Sequence, residues 1–244
     1  MSPRLSLVVA ARVLAQLRHD HRTVALVLVL PCVLIGLLAW VFEGTPVFDR
    51  IGAQLLGVFP FVVMFLVTSV ATLRERQSGT LERLMTLPVH RADLVAGYAL
   101  AIGLAAVAQA VVATAFARYA CGLDVAGPLW WLMVIAVCVA LLGTALGLGA
   151  SSLARSEFQA VQLMPAIVLP QFLLCGLLVP RDDLPTPLRL LSDVLPLSYA
   201  VDALSEVARD PDPWPGIGGE LAVVAGFIVA ALALGAATLP RRTP

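Results

Sequence analysis

Side chains that could perform covalent or acid–base chemistry are few in this sequence, and none is spaced as in a known catalytic motif. The histidines are His19, His21 and His90, and the sequence has no GxSxG, HExxH or CxxC pattern. It also contains no lysine, which excludes a GxxxxGK[ST] phosphate-binding loop and Schiff-base chemistry. We therefore expect no catalytic site, no metal site and no cofactor held by this chain.

The four cysteines give no indication of redox chemistry. Cys32, Cys138 and Cys175 lie within apolar stretches, and Cys121 lies between two such stretches. A free cysteine in apolar surroundings behaves as a small hydrophobic residue. We interpret all four as free thiols.

Residues 74–93, "RERQSGTLERLMTLPVHRAD", form a densely charged segment between two long apolar stretches. Ser78–Gly79 is typical of a helix start, and Pro88 would end that helix after about two turns. Leu81, Leu84 and Met85 would then share an apolar face surrounded by arginine. Such a helix could dock a cytosolic partner, or it could be a positively charged loop whose leucines rest on lipid.

The elements on either side of this segment are predicted to be membrane-spanning helices. The chain is 60% hydrophobic with a mean hydropathy of +0.94, against roughly 45–50% apolar residues in soluble domains. Crossing the hydrocarbon layer takes about 20 apolar residues in a helix. The sequence predicts one all-α membrane domain with six spans, at 23–42, 51–73, 94–117, 129–153, 158–179 and 217–239, the last being free of charge from Leu221 onward.

The distribution of arginine predicts the orientation, because positively charged loops stay in the cytoplasm. With both termini on the cytoplasmic side, the inner segments hold eleven of the sixteen arginines but only five of the sixteen acidic residues. This places residues 74–93 in the cytoplasm. No cleavable signal peptide is expected, since the first apolar run begins after residue 22 and lacks a cleavage pattern.

Residues 2–22 are predicted to form an amphipathic helix, with Arg12, Gln16 and His19 along one polar stripe. This helix could lie in the inner membrane interface or extend the first span into the cytosol. Residues 180–216 are predicted to form two short amphipathic helices packed on the outer ends of the spans, with Ser198 as the N-cap of the second. Their apolar faces would be Leu188, Leu191, Val194 and Leu195, then Leu197, Val201, Leu204 and Val207.

The spans themselves offer limited polarity. We expect no ionisable residue within them, which disfavours an ion-coupled carrier. Gln159 and Gln162 share one face of the fifth span, where they could line a path or form ordinary interhelical hydrogen bonds. The fifth span also contains two prolines that predict a kink, and Gly143, Gly147 and Ser151 predict close helix packing in the fourth.

Two stretches resemble the ABC-2 type permeases, the membrane subunits of exporters in the daunorubicin-resistance and nodulation-export group. "RERQSGTLERLMTLPVHRADLVAGY" is similar to the cytoplasmic signature between spans two and three of that family, and "LPLSYAVDAL" is similar to its motif before the last span. The resemblance implies a bundle of six spans that pairs with a second permease subunit, identical or related. Two cytosolic ABC ATPases would dock beneath, and these partners would bind the ATP and magnesium.

The resemblance also implies roles for individual residues. The ATPase-coupling set would be Arg74, Glu75, Arg76, Gly79, Thr80, Leu81, Glu82, Leu84 and Met85. The substrate path would involve spans two and five, with Gln159, Gln162 and Gln171 as its candidates.

The expected function is therefore a non-enzymatic permease in a bacterial cytoplasmic membrane, exporting an amphipathic, drug-like or lipid-like substrate. No nucleic-acid partner is expected. The alternative is a membrane anchor or sensor that recruits a cytosolic partner through the same charged segment without transporting anything.

Overall fold

The computed structural model describes residues 3–77, 91–154 and 156–238, and the regular structure in these ranges is helical. Its helices, numbered in chain order over the described ranges, are α1 Pro3–His19, α2 His21–Val41, α3 Val47–Gln77, α4 Arg91–Tyr119, α5 Leu129–Leu153, α6 Glu157–Leu174, α7 Thr186–Ser192, α8 Pro196–Arg209 and α9 Trp214–Thr238, with a 3-10 turn at Arg181–Asp183.

Six of these helices, α2, α3, α4, α5, α6 and α9, are long and apolar enough to cross a membrane. An apolar segment in lipid must satisfy its backbone hydrogen bonds internally, and a helix does so along its whole length. The predicted all-α fold with six membrane spans is therefore confirmed. The chain is a multi-pass membrane protein.

The fifth span ends earlier than the 158–179 predicted from hydropathy. Helix α6 stops at Leu174, with Cys175 as its C-cap, and Gly176 adopts a positive φ of 93°. A left-handed glycine after the last turn redirects the chain, so residues 175–180 leave the helix although they remain apolar. The eighteen residues of α6 still span about 27 Å. Both predicted prolines lie inside this helix, and the kink remains a prediction.

The helix that forms the last span is longer than its charge-free run, and the expectation of uncharged spans stays a prediction. Helix α9 begins at Trp214, seven residues before the charge-free run that starts at Leu221, and it includes Glu220 in its second turn. Glu220 is half-buried, and its Oε2 atom has no hydrogen-bond partner among the described residues.

The centre of the bundle is the contact between α3 and α5, where glycines let the two backbones approach closely. A Cβ atom added to Gly143 would lie 2.4 Å from the carbonyl oxygen of Phe61, and one added to Gly147 would lie 2.5 Å from that of Phe65. Neither glycine could carry a side chain without moving a helix. The predicted close packing through small residues of the fourth span is confirmed.

Helix α1 is a separate element and does not continue the first span. Asp20 interrupts the helix with non-helical backbone angles, and its side chain accepts hydrogen bonds from the Thr23 backbone nitrogen at 3.2 Å and the Thr23 hydroxyl at 2.7 Å. Such an N-cap satisfies a donor that the start of α2 would otherwise leave unpaired. Val9 of α1 packs on Gly97 of α4, where an added Cβ would lie 2.6 Å from the Val9 side chain.

Of the two predicted outer helices, the second packs as expected and the first does not. The apolar face of α8, namely Leu197, Val201, Leu204 and Val207, is fully buried. By contrast Leu188, Leu191 and Val194, in and just after α7, are exposed. Only seven residues long, α7 is fixed by the buried Ser192, whose hydroxyl donates to the Leu174 carbonyl at 2.8 Å.

Ser198 does not cap α8. The helix begins at Pro196, since the fixed φ of proline suits a first helical position and its missing N–H costs nothing there. Ser198 is instead buried, with its hydroxyl 3.0 Å from that of Ser192.

Candidate functional site

The C-terminal end of α3, called its inner end because the sequence predicts a cytoplasmic location, lies immediately before the predicted coupling segment. Its last turns carry Arg74 and Glu75. Arg74 forms a two-pronged ion pair with Glu157, with Nε 2.9 Å from Oε1 and an NH2 distance of 3.0 Å to Oε2. Paired contacts of this kind fix orientation as well as distance. They connect the end of α3 to the start of α6.

The start of α6 stabilises the charged carboxylate of Glu157. Glu157 occupies the first turn, where the helix dipole favours a negative charge. Ser156 caps the same end by accepting a hydrogen bond from the Gln159 backbone nitrogen at 3.2 Å. The carboxylate therefore lies at a helix end that stabilises it and faces the guanidinium of Arg74.

Glu75 connects α3 to a different neighbour. The Tyr98 hydroxyl of α4 donates a hydrogen bond of 2.5 Å to Glu75 Oε2. A tyrosine hydroxyl is protonated at physiological pH, so it can act as the donor to this carboxylate. Two adjacent residues of α3 thus fix its inner end to α6 on one side and to α4 on the other.

The rest of the predicted coupling set lies mostly outside the described residues. The backbone of Arg76 belongs to α3, but Gly79, Thr80, Leu81, Glu82, Leu84 and Met85 fall within 78–90, outside the described ranges. Their coupling role stays a prediction. Sequence reasoning identified neither Glu157 nor Tyr98 as a functional residue, although Glu157 is an acidic residue in a predicted inner turn, opposite inner arginines.

The structure separates the three glutamines predicted to line a substrate path. Gln159 and Gln162 are exposed on one flank of α6, whereas Gln171 is buried, with 2% of its surface accessible. Nine residues of helix turn the chain by about half a revolution relative to Gln162, which accounts for the difference. Gln171 donates to the Ile167 carbonyl at 3.3 Å, and its Oε1 atom has no partner among the described residues.

Comparison with known proteins places this architecture in a family. The family model described as "ABC-2 type transporter" matches residues 4–208, which run from α1 through nearly all of α8. The chain belongs to the ABC-2 type transporter family. Its six apolar helices make it a membrane-embedded member of that family.

Curated relatives support the same assignment. The chain is 27% identical over 154 residues to the probable multidrug ABC transporter permease YbhR of Escherichia coli, covering 63% of this chain and 42% of that protein. It is 26% identical over 150 residues to YbhS of the same organism, covering 60% and 39%. ABC transporter G family member 20 of Dictyostelium discoideum is 26% identical over 159 residues, covering 65% and 22%. The matches span less than half the length of these relatives.

The second family-like motif, "LPLSYAVDAL", lies on the surface that the sequence predicts to face outward. Arg181 pairs with Asp202 of the motif and with Asp193, the latter at 2.5 Å. Its guanidinium also lies 5.1 Å from the ring centre of Tyr199, whose hydroxyl donates to the Asp193 carbonyl. Burial opposes the charge on Arg181, but the two carboxylates outweigh it and raise the pKa of Arg181. The motif therefore fixes the chain between α6 and α8.

No metal centre is formed by the part of the chain that the structure describes, since no three His, Cys, Asp or Glu side chains come together there. The residues at the inner end of α3 can hold helices together, and they do so by electrostatic contacts. These contacts are one ion pair and one short hydrogen bond that join three helices.

Proposed function

We propose that this chain is the permease subunit of an ATP-driven exporter in a bacterial cytoplasmic membrane. It would carry an amphipathic, drug-like or lipid-like substrate out of the cytoplasm. A separate cytosolic ABC ATPase would bind the ATP and magnesium, and this chain would catalyse no reaction. The relatives named as multidrug permeases support this direction of transport and this class of cargo.

The observation that carries the proposal is the double attachment of α3 at its inner end. Arg74 holds α6 and Glu75 holds α4, immediately before residues 78–90. A partner that pushed on the segment 74–93 would pull on both neighbouring helices at once. Because the candidate path glutamines lie on α6, a displacement of its first turn would also move these glutamines.

A second permease subunit is proposed to pack on α6 and α7. The exposed side chains of α6 include Phe158, Leu169 and Leu173, and α6 and α7 form an apolar groove of about 560 Å³. Leu188 of α7 lines the same groove. The second subunit would then cover the leucines of α7, which are exposed in the single chain.

The first test asks whether an ATPase binds. The tagged chain is extracted from its native membrane in mild detergent, and co-purifying ATP hydrolysis is measured. We expect an ATPase whose turnover falls in Leu84→Asp but not in His19→Asp, which adds the same charge at an exposed position of α1. If the chain purifies without any ATPase, the exporter proposal fails and an anchor or sensor role takes its place.

The second test addresses the double attachment by exchanging charges in the reconstituted complex. Arg74→Glu and Glu157→Arg each place like charges together, and we expect each to reduce ATP-dependent activity severalfold. The double exchange restores the attraction and should recover most of that activity. The pair Arg118–Asp124, 2.8 Å apart and also accessible to solvent, is the matched control. Activity that stays low in the double exchange would refute the proposed role of the pair.

A further inference from the structure

Helix α2 contains a proline at its middle, and this proline leaves one backbone carbonyl of the helix without its usual donor. Pro31 is buried inside α2. Proline has no backbone N–H, so it cannot donate to the carbonyl four residues earlier, which is that of Val27. Val27 is buried as well. In the apolar interior of a membrane span there is no water to replace the missing donor, so another protein group has to supply it.

The missing donor comes from Gln109 of the neighbouring helix α4. Its Nε2 atom donates to the Val27 carbonyl oxygen at 2.9 Å, and the residue is only 1% exposed. Because a carbonyl oxygen only accepts hydrogen bonds, the amide nitrogen of Gln109 must face it and the amide oxygen cannot. The bond joins residues 82 positions apart and thereby connects two spans.

The next carbonyl of α2 also accepts a hydrogen bond from a side chain. The Cys32 thiol donates to the Leu28 carbonyl at 3.2 Å. A proline inside a helix disrupts the turn that precedes it. Two side-chain donors therefore serve the turn before Pro31, one from α2 itself and one from α4.

We propose that Pro31 and Gln109 form a hinge in α2 that a hydrogen bond to α4 keeps closed. Pro31 makes the middle of α2 easy to bend, and the bond from Gln109 to Val27 holds the half of α2 before the proline against α4. Bending α2 at Pro31 would break this bond and leave a buried carbonyl unpaired. The Oε1 atom of Gln109 has no partner in the described part of the chain, so the bond to Val27 is what an amide contributes at this position.

The first half of α2 is also attached to α4 through α1. Asp20 alone separates α1 from α2, and Val9 of α1 packs on Gly97 of α4. While the bond at Val27 holds, the half of α2 before Pro31 moves with α1 and α4. When the bond opens, the two halves of α2 can change their angle. This proposal does not depend on export, because it concerns a contact within the resting chain.

A double-mutant cycle tests the hinge in the full chain, purified in detergent, with Tm as the readout. Gln109→Leu removes the donor and should lower the Tm by roughly 2–6 °C. In Pro31→Ala the new backbone N–H can donate to the Val27 carbonyl, so adding Gln109→Leu should lower the Tm by less than about 1 °C. Thr114→Val is the control, because it removes a different buried hydroxyl of α4. It should shift the Tm equally with proline or alanine at position 31.

Thiol labelling distinguishes an open hinge from a general loss of stability. Cys32 lies next to Pro31 and is 8% exposed. Well below the Tm, its modification by N-ethylmaleimide, located by mass spectrometry, should be severalfold faster in Gln109→Leu than in the wild type. Adding Pro31→Ala should restore the wild-type rate, and Cys175, which is buried at the end of α6, should react at one rate in all variants.

A variant that keeps the size of the side chain guards against a failure to fold. If Gln109→Leu does not yield folded protein, Gln109→Met, whose side chain has a similar length and no donor, takes its place in both measurements. Equal Tm losses with proline and with alanine at position 31 would overturn the proposal. So would a rate of Cys32 labelling that does not change when the donor is removed.

Discussion

Replacing Gly143 by alanine is the sharpest test of the central packing between α3 and α5. The new methyl carbon would lie 2.4 Å from the Phe61 carbonyl oxygen, and 3.1 Å from two further Phe61 backbone atoms. Ordinary contacts of this kind begin near 3.4 Å. The atoms it meets are backbone, so no side-chain rotation relieves the contact, and one helix must move by about 1 Å.

The size of the effect follows from this displacement. Overpacking a well-packed interior costs about 1–3 kcal/mol. Because the added carbon meets backbone atoms, we take the upper part of this range, about 2–3 kcal/mol. The intrinsic helix preference of alanine over glycine opposes this by about 1 kcal/mol, which leaves an expected net loss of about 1–2 kcal/mol for Gly143→Ala. For a chain of this length, 1 kcal/mol corresponds to about 2–4 °C in Tm. We therefore expect a decrease of roughly 2–8 °C.

The assay is thermal unfolding in detergent, followed by intrinsic tryptophan fluorescence. Gly149→Ala is the matched control, because it lies six residues later in the same helix and its added Cβ meets no atom within 4 Å. That variant should unfold at the wild-type temperature or slightly above it. If the two variants had the same Tm, the close approach of α3 and α5 would not be the constraint described above.

Three further outcomes are expected in the same unfolding assay. Asp20→Ala should lose about 1 kcal/mol by removing the cap of α2, and Asp20→Asn should lose less. Hydrogen bonding by Thr23 lowers the pKa of Asp20 below its unfolded value of 3.8. The stabilisation that the Asp20 cap contributes is therefore fully present above pH 3.8, and it is lost as the pH falls through the lower pKa of Asp20 in the folded chain. Gln171→Leu should be neutral or stabilising, since it removes a buried oxygen that has no partner among the described residues. Leu204→Ala should cost about 2–5 kcal/mol, whereas Leu188→Ala, at an exposed position, should change stability little within one chain.

The parts of the fold that were predictable follow from one-dimensional patterns. Long apolar runs located the six spans, because an apolar segment in lipid must form its backbone hydrogen bonds internally, as a helix does. The spacing of Leu197, Val201 and Leu204 located the buried face of α8, because a helix repeats every 3.6 residues. Gly143 and Gly147, four residues apart, indicated a close helix contact for the same reason, and the structure shows that the partner is α3.

The parts that were not predictable depend on tertiary neighbours or on single backbone angles. Hydropathy extended the fifth span past Gly176, whose positive φ ends the helix while the sequence stays apolar. It gave the last span as 217–239 with a charge-free run from Leu221, whereas the helix already begins at Trp214. The pairing of Arg74 with Glu157 joins residues 83 positions apart, and no local pattern encodes it.

The attachment of α3 to two neighbours follows from the geometry of a helix once two adjacent residues have different partners. Successive side chains of an α-helix are turned by about 100°, so Arg74 and Glu75 cannot face the same neighbour. With α6 on one side and α4 on the other, a rotation of the end of α3 that stretched one contact would also strain the second. We infer that the Arg–Glu dipeptide resists twisting of α3 and favours displacement of the three inner ends together. An ATPase acting on residues 74–93 would then move a group of helices, and the charge exchange at Arg74 and Glu157 would release only α6 from that group.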